Sequence, residues 1–299
     1  MSGLPGSVRL VAGAGDLPML RVDGPEGWAE LYLHGAHVTA WGPTGSESVL
    51  WLSRSSRFDA RTAIRGGIPV CFPWFGPLDG RPDAPRHGFA RTASWTVDGA
   101  HDDGHDVTVR LRLQDSADTR GSAWPHRFTA VCSVVVGARL SVSLEVTSTG
   151  DEDVTFEEAL HTYLAVADVT AAEVTGLEGV GFVDKTAHGA AVAGDRAPLR
   201  VTGEVDRIYA GAPETVTVRD VAGGRDLRVG TTGSGSTVVW NPWREGARAT
   251  ADLDDDGWTT MLCVEAGNVG PAAVRLGPGE RHTMATTIEV VPVGGRMVG

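Results

Sequence analysis

Hydrophobic and polar residues alternate strictly through Val107, Val109, Leu111 and Leu113, with Thr108, Arg110 and Arg112 between them. A period of two places one face in a core and the other in water, which predicts a half-buried strand. The same period recurs at Leu140, Val142, Leu144 and Val146. The intervening TAVCSVVV run (129–136) reads as a third strand, turned into the next by Gly137 and Ala138. These segments predict an antiparallel meander. Further β-rich pieces are TVTVRD (215–220), STVVWN (236–241), TTMLCVEA (259–266) and TMATTIEVV (283–291). No window of helical period runs beyond about two turns without Gly or Pro. The expected class is mainly β, an antiparallel sandwich, with no composition shift or linker dividing residues 1–299 into more than one domain.

Composition narrows the picture. Glycine (40 of 299) and proline (16) punctuate the whole chain, as short strands joined by tight turns require. The net charge is −12, and 25 arginines stand against a single lysine, Lys185, with no polybasic tract. Nucleic acid and acidic membranes are therefore not expected partners. Schiff-base chemistry would rest on Lys185 alone, in the loop-like stretch GFVDKTAHGAAVAG. Cys71, Cys132 and Cys263 are odd in number and widely spaced, fitting neither a disulfide framework nor a zinc site, so a reducing cytoplasm is the expected home. No apolar run reaches the roughly 18 residues of a membrane span, and the first residues have no signal-peptide pattern.

Several apparent motifs reduce to turns. Gly13 and Gly15 follow a strand as in a dinucleotide loop, but Pro18 takes the third glycine's place and no helix follows. Asp252–Gly257 imitates a calcium loop, yet Cys263 stands where the bidentate glutamate belongs. The His101–Asp106 run lies between two strands and reads as a solvated turn.

Three segments carry more chemistry. Residues 65–91 (RGGIPVCFPWFGPLDGRPDAPRHGFAR) mix aromatics with Gly, Pro, Arg and His, more as a binding loop than as a structural corner. Arg65, Arg86 and Arg91 are placed to converge on an anion, with Phe72, Trp74 and Phe75 as pocket walls. In EEALHTYL (157–164), His161 between apolar neighbours is either a hydrogen-bonded core histidine or a catalyst. The Glu158–His161 spacing imitates a metal-bundle motif but lacks the long helices such sites need. In MLCVEAGNV (261–269), Cys263 and Glu265 share one side of a strand, and periodicity leaves open whether that side meets solvent or a concave face. A carboxylate and a histidine together serve proton shuttling near neutral pH.

Taken in order, IRGGIPVCFPWFG (64–76), RHGFAR (86–91) with Trp95, EALHTYL (158–164), VDRIY (205–209), VVWNPW (238–243) and LCVEAGN (262–268) resemble the hexose-6-phosphate mutarotase branch of the aldose 1-epimerase family. The resemblance implies a galactose-mutarotase-like β-supersandwich with its site on a concave sheet face, and no metal or other cofactor. It implies that His161 is the general acid at the ring oxygen and Glu265 the general base at the anomeric hydroxyl. It also implies Arg65 and Arg91 near the phosphate and Asp206 at sugar hydroxyls. Arg86 departs from the uncharged residue usual there, adding a cation for the phosphate or a partner for Asp79 or Asp83. His87 lines the pocket, as a supporting group or a sugar contact. Trp240 and Trp243 are equally readable as sugar platforms or core. The implied partner is a hexose 6-phosphate, glucose 6-phosphate first, and a monomer is expected. The alternative is a non-catalytic sugar-phosphate binding module on the same fold.

Overall fold

The computed structural model describes residues 3–293, so the expected unit over 1–299 extends beyond the described residues at both ends. Three larger sheets of antiparallel strands organise the chain. The first residues form a four-stranded sheet in sequence order, from Val8–Ala12 to His37–Pro43. A nine-stranded sheet contains the expected meander: Val107–Gln114, Phe128–Val136 and Arg139–Ser148 pair in turn, followed by Arg281–Pro292 and Arg225–Thr232. The alternation in sequence becomes alternation in burial. Val107, Val109 and Leu111 are fully buried, whereas Arg110 is exposed.

The eight-stranded sheet carries the chemistry-bearing motifs. Its centre is Met261–Asn268, buried at every position. On one side it pairs with Ser236–Asn241, which pairs with Val205–Ala210 and then Phe182–Asp184. On the other side it pairs with two short strands, Glu158–Leu160 and Tyr163–Ala165. Val70–Cys71, from the Gly- and Pro-rich segment, completes that edge. The inward side chains of this sheet and of the nine-stranded sheet join one hydrophobic cluster, from Val109 and Leu144 to Leu262 and Val264. Among the described residues helix is confined to Ala117–Arg120, Trp243–Ala249 and short 3-10 turns.

The rejected motifs are indeed turns. Ala14–Asp16 is a 3-10 turn between two paired strands, and Asp103 caps the turn at 103–106 by accepting from the backbone of His105 and Asp106. The three cysteines are buried and free. Among the described residues no helix is long and apolar enough to cross a membrane.

Candidate active site

Strand register assembles the site. Leu160 stands opposite Ala266 and Tyr163 opposite Cys263, so His161, between them, falls opposite Glu265. Across the next strand Glu265 faces Val238 and Cys263 faces Trp240, and Trp240 in turn faces Asp206. Cross-strand partners point to the same face of a sheet. Two neighbouring rows therefore project together: Asp206, Trp240, Cys263 and Tyr163 in one, Val238, Glu265 and His161 in the other. The Lys185 N–H donates to the Asp206 carbonyl at 2.9 Å and extends the first row. Asp206, Trp240 and Lys185 of the first row, with Val238, Glu265 and His161 of the second, line a cavity of about 380 Å³.

His161 Nδ1 lies 3.3 Å from Glu265 Oε1, with both side chains almost wholly buried. The approach is not aligned as a hydrogen bond, and neither Glu265 oxygen has another partner among the described residues. Burial foremost pushes the Glu265 carboxyl well above its usual range, with Asp206 adding to the rise. Burial foremost pushes the His161 imidazole well below its usual range, and Arg65 and Arg91 push it further. Imidazole with carboxylic acid, and imidazolium with carboxylate, then differ by the position of one proton. An acid and a base are thus held side by side in a form that either state can occupy.

The second wall is the segment 65–91. Left-handed backbone at Gly88 (φ +73°) brings it against Phe72, where a Cβ would overlap the Phe72 carbonyl. Glu157 accepts from the backbone N–H of Phe75 (2.9 Å) and of Gly270 (2.6 Å), tying this loop to the far end of the strand that carries Glu265. His87 donates its backbone N–H to the Gly76 carbonyl at 2.7 Å, and its Nδ1 accepts from the Gly76 N–H at 3.2 Å. Burial foremost pushes the His87 imidazole well below its usual range, and the charges of Arg91, Arg86 and Lys185 push it further. With Nδ1 accepting, its proton sits on Nε2, where it is a donor. His87 is thus both support and an available polar group, the two uses that the sequence left open.

The cations of the cavity are not equivalent. Arg65 donates from Nη1 to the Tyr163 hydroxyl (3.1 Å) and from Nε to Asp252 (3.1 Å). Asp252 belongs to the acidic turn that imitated a calcium loop. Lys185 Nζ lies 3.8 Å from Asp206 Oδ2 and 5.5 Å from the Phe75 ring centroid. Arg91 is held by a 2.7 Å bond from Nη2 to the Arg86 carbonyl, and burial foremost lowers its pKa. Arg86 and Arg91 have no carboxylate partner among the described residues; Asp83 pairs instead with Arg81. Burial also raises the Asp206 pKa, against the opposing charges of Lys185 and Arg86.

All seven residues singled out in sequence line this cavity: Arg65, Arg86, His87, Arg91, His161, Asp206 and Glu265. The structure adds Lys185 and Trp240 to the lining. Of the expected aromatic walls only Phe75 serves. Phe72 is fully buried against Phe128 and Phe156, and Trp74 packs on Phe89 with its indole N–H on the Pro85 carbonyl, because the core behind the loop needs their area. Trp243 turns away from the cavity onto Trp258, at 4.2 Å between ring centroids. The donor atoms of His161, Cys263 and Glu265 lie within 4.8 Å of one another, as metal ligands would. Arg65, Arg91 and Lys185 share that cavity, however, and burial favours the protonated thiol and carboxyl. The donor set suits a proton better than a metal cation.

Comparison with known proteins agrees with this geometry. Residues 19–289 match the family described as aldose 1-epimerase. A protein of Escherichia coli (strain K12), named "Putative glucose-6-phosphate 1-epimerase", is 37% identical over 250 residues, 84% of this chain and 83% of its own. The crystal structure of a Salmonella typhimurium protein, YeaD, described as a "putative mutarotase", superposes with a TM-score of 0.90 at 31% identity, covering 98% of this chain and 96% of that one. A galactose mutarotase related enzyme from Lactobacillus acidophilus shares the fold at a TM-score of 0.74 and 13% identity, over 92% of this chain and 98% of the other. The chain belongs to the aldose 1-epimerase family.

Proposed function

We propose that this protein interconverts the α and β anomers of a hexose 6-phosphate, glucose 6-phosphate first. The observation that carries the proposal is one cavity in which an acid–base pair, His161 and Glu265 at 3.3 Å, shares its walls with Arg86 and Arg91, which have no carboxylate partner among the described residues. Relatives named for glucose 6-phosphate support the choice of sugar.

Glu265 takes the proton of the anomeric hydroxyl while His161 gives one to the ring oxygen; the C1–O5 bond breaks and the C1–O1 bond becomes a carbonyl. Rotation about C1–C2 presents the other carbonyl face. Re-closure returns both protons and leaves the pair as it began. Asp206 and the Nε2 proton of His87 hold sugar hydroxyls, and Trp240 offers an aromatic wall.

The phosphate belongs with Arg86 and Arg91, which form no ion pair among the described residues, and Arg65 flanks them. A guanidinium meets phosphate oxygens with paired N–H donors. The test is steady-state anomer exchange with glucose 6-phosphate and with glucose. The wild-type protein is expected to prefer the phosphorylated sugar, and Arg91→Ala or Arg86→Ala to raise KM for glucose 6-phosphate much more than for glucose. Binding of glucose 6-phosphate without accelerated exchange would make the protein a sugar-phosphate binding module instead.

A further inference from the structure

Tyr163 has no part in the proton transfers just described, yet it touches both halves of the site. Its ring stacks on the His161 imidazole at 4.7 Å between centroids and 11° between planes. Its hydroxyl accepts the 3.1 Å bond from Arg65. It also stacks on Trp51 (5.9 Å, 19°), and Trp240 stands edge-on to it (6.0 Å, 83°) and to His161 (5.8 Å, 83°). Packed this way the phenol has little freedom, so the position of the Arg65 guanidinium and the plane of the imidazole are set by one rigid ring.

Charge points in the same direction. The groups facing His161 are Glu265, His87, Cys263, Arg65, Arg91 and Lys185. The arginines oppose an imidazolium, which is the form an acid must take. A dianion seated on those arginines cancels their repulsion, and a π face stacked on the ring favours its charged form.

We infer that the substrate's phosphodianion activates the acid–base pair as well as anchoring the sugar, and that Tyr163 is the positioning residue linking Arg65, at the flank of the phosphate seat, to His161. This rests on the proposed mutarotase reading. It follows that a phosphodianion accelerates the reaction even when it is not attached to the sugar.

The test is enzymatic anomer exchange of glucose with and without phosphite dianion, after subtraction of enzyme-free exchange at each phosphite concentration. Phosphite is expected to raise kcat/KM for glucose in the wild-type protein by about tenfold or more, a lowering of the barrier by about 1.4 kcal/mol. Tyr163→Phe keeps the stack and removes the hydroxyl. It is expected to lose most of the phosphite activation, and to lower kcat for glucose 6-phosphate more than it raises KM. Tyr163→Leu is expected to lose both the activation and the unactivated turnover, and circular dichroism checks that each variant is folded. Phosphite that fails to activate, or wild-type activation in Tyr163→Phe, overturns the inference while wild-type turnover of glucose 6-phosphate leaves the proposed function standing. Absence of that turnover overturns both.

Discussion

Replacing Glu265 by glutamine is expected to trade activity for stability, and the structure fixes how the trade varies with pH. Both carboxyl oxygens are buried without a hydrogen-bond partner among the described residues, and burial raises the folded-state pKa well above the ordinary value of 4.5. The folded chain therefore keeps a proton that the unfolded chain releases. The resulting contribution to stability is complete below the unfolded pKa and is lost as pH rises through the folded one. Between those limits the wild-type protein loses about 1.4 kcal/mol per pH unit from this group. Unfolding entropy near 2 cal/mol/K per residue over a chain of this length makes that about 2 °C in Tm per pH unit. The glutamine amide does not titrate, so Tm of Glu265→Gln minus Tm of wild type is expected to grow at about that rate above pH 4.5, then level off. Anomer exchange is expected to fall by about 10²- to 10⁴-fold, the usual worth of a positioned base. Scanning calorimetry of both proteins at half-unit pH steps reads the difference directly. Parallel curves would refute the argument, because they would mean that the carboxyl is no harder to ionise in the fold than outside it.

Gly88→Ala puts a Cβ at φ +73° against the Phe72 carbonyl, so a loss of about 1–3 kcal/mol is expected, with a raised KM because His87 and Arg91 flank the strained turn; thermal melts and substrate titration check both. Trp240→Ala is expected to raise KM for the phosphorylated sugar, whereas Trp243→Ala, which loses the contact with Trp258, is expected to lower Tm at unchanged KM. The bond to Glu158 raises the His282 pKa above 6.5, so the stability it lends is complete below that pH and is lost as pH rises past the folded value. Calorimetry is expected to show the Tm gap between wild type and His282→Asn shrinking from pH 6 to pH 9.

Strands with one wet face announced themselves, since the alternation at Val107–Leu113 survives as alternating burial. Met261–Asn268 was legible as a strand but not in its orientation, because a strand buried at every position offers no contrast by which to aim Glu265. What orients it is register with His161, a pairing between residues more than a hundred positions apart. Each short motif nonetheless carried its share: His161 and Tyr163, Val238 and Trp240, Cys263 and Glu265 are pairs spaced by two, as a single sheet face requires. Lys185 went unvalued because its Gly- and Ala-rich surroundings have no period, and only pairing of Phe182–Asp184 with Val205–Ala210 brings it beside Asp206. Asp252 looked like a surface turn for the same reason. The aromatic cluster at 72–75 shows the converse limit, since composition marks a wall but not which ring the core claims.

The most direct test of the central claim is saturation-transfer NMR of glucose 6-phosphate anomers with wild type, His161→Ala and Glu265→Gln in low-phosphate buffer. Exchange accelerated by the wild-type protein and lost in each folded variant is the predicted result. Undiminished exchange in either variant would contradict the assignment of the buried pair as the acid and base.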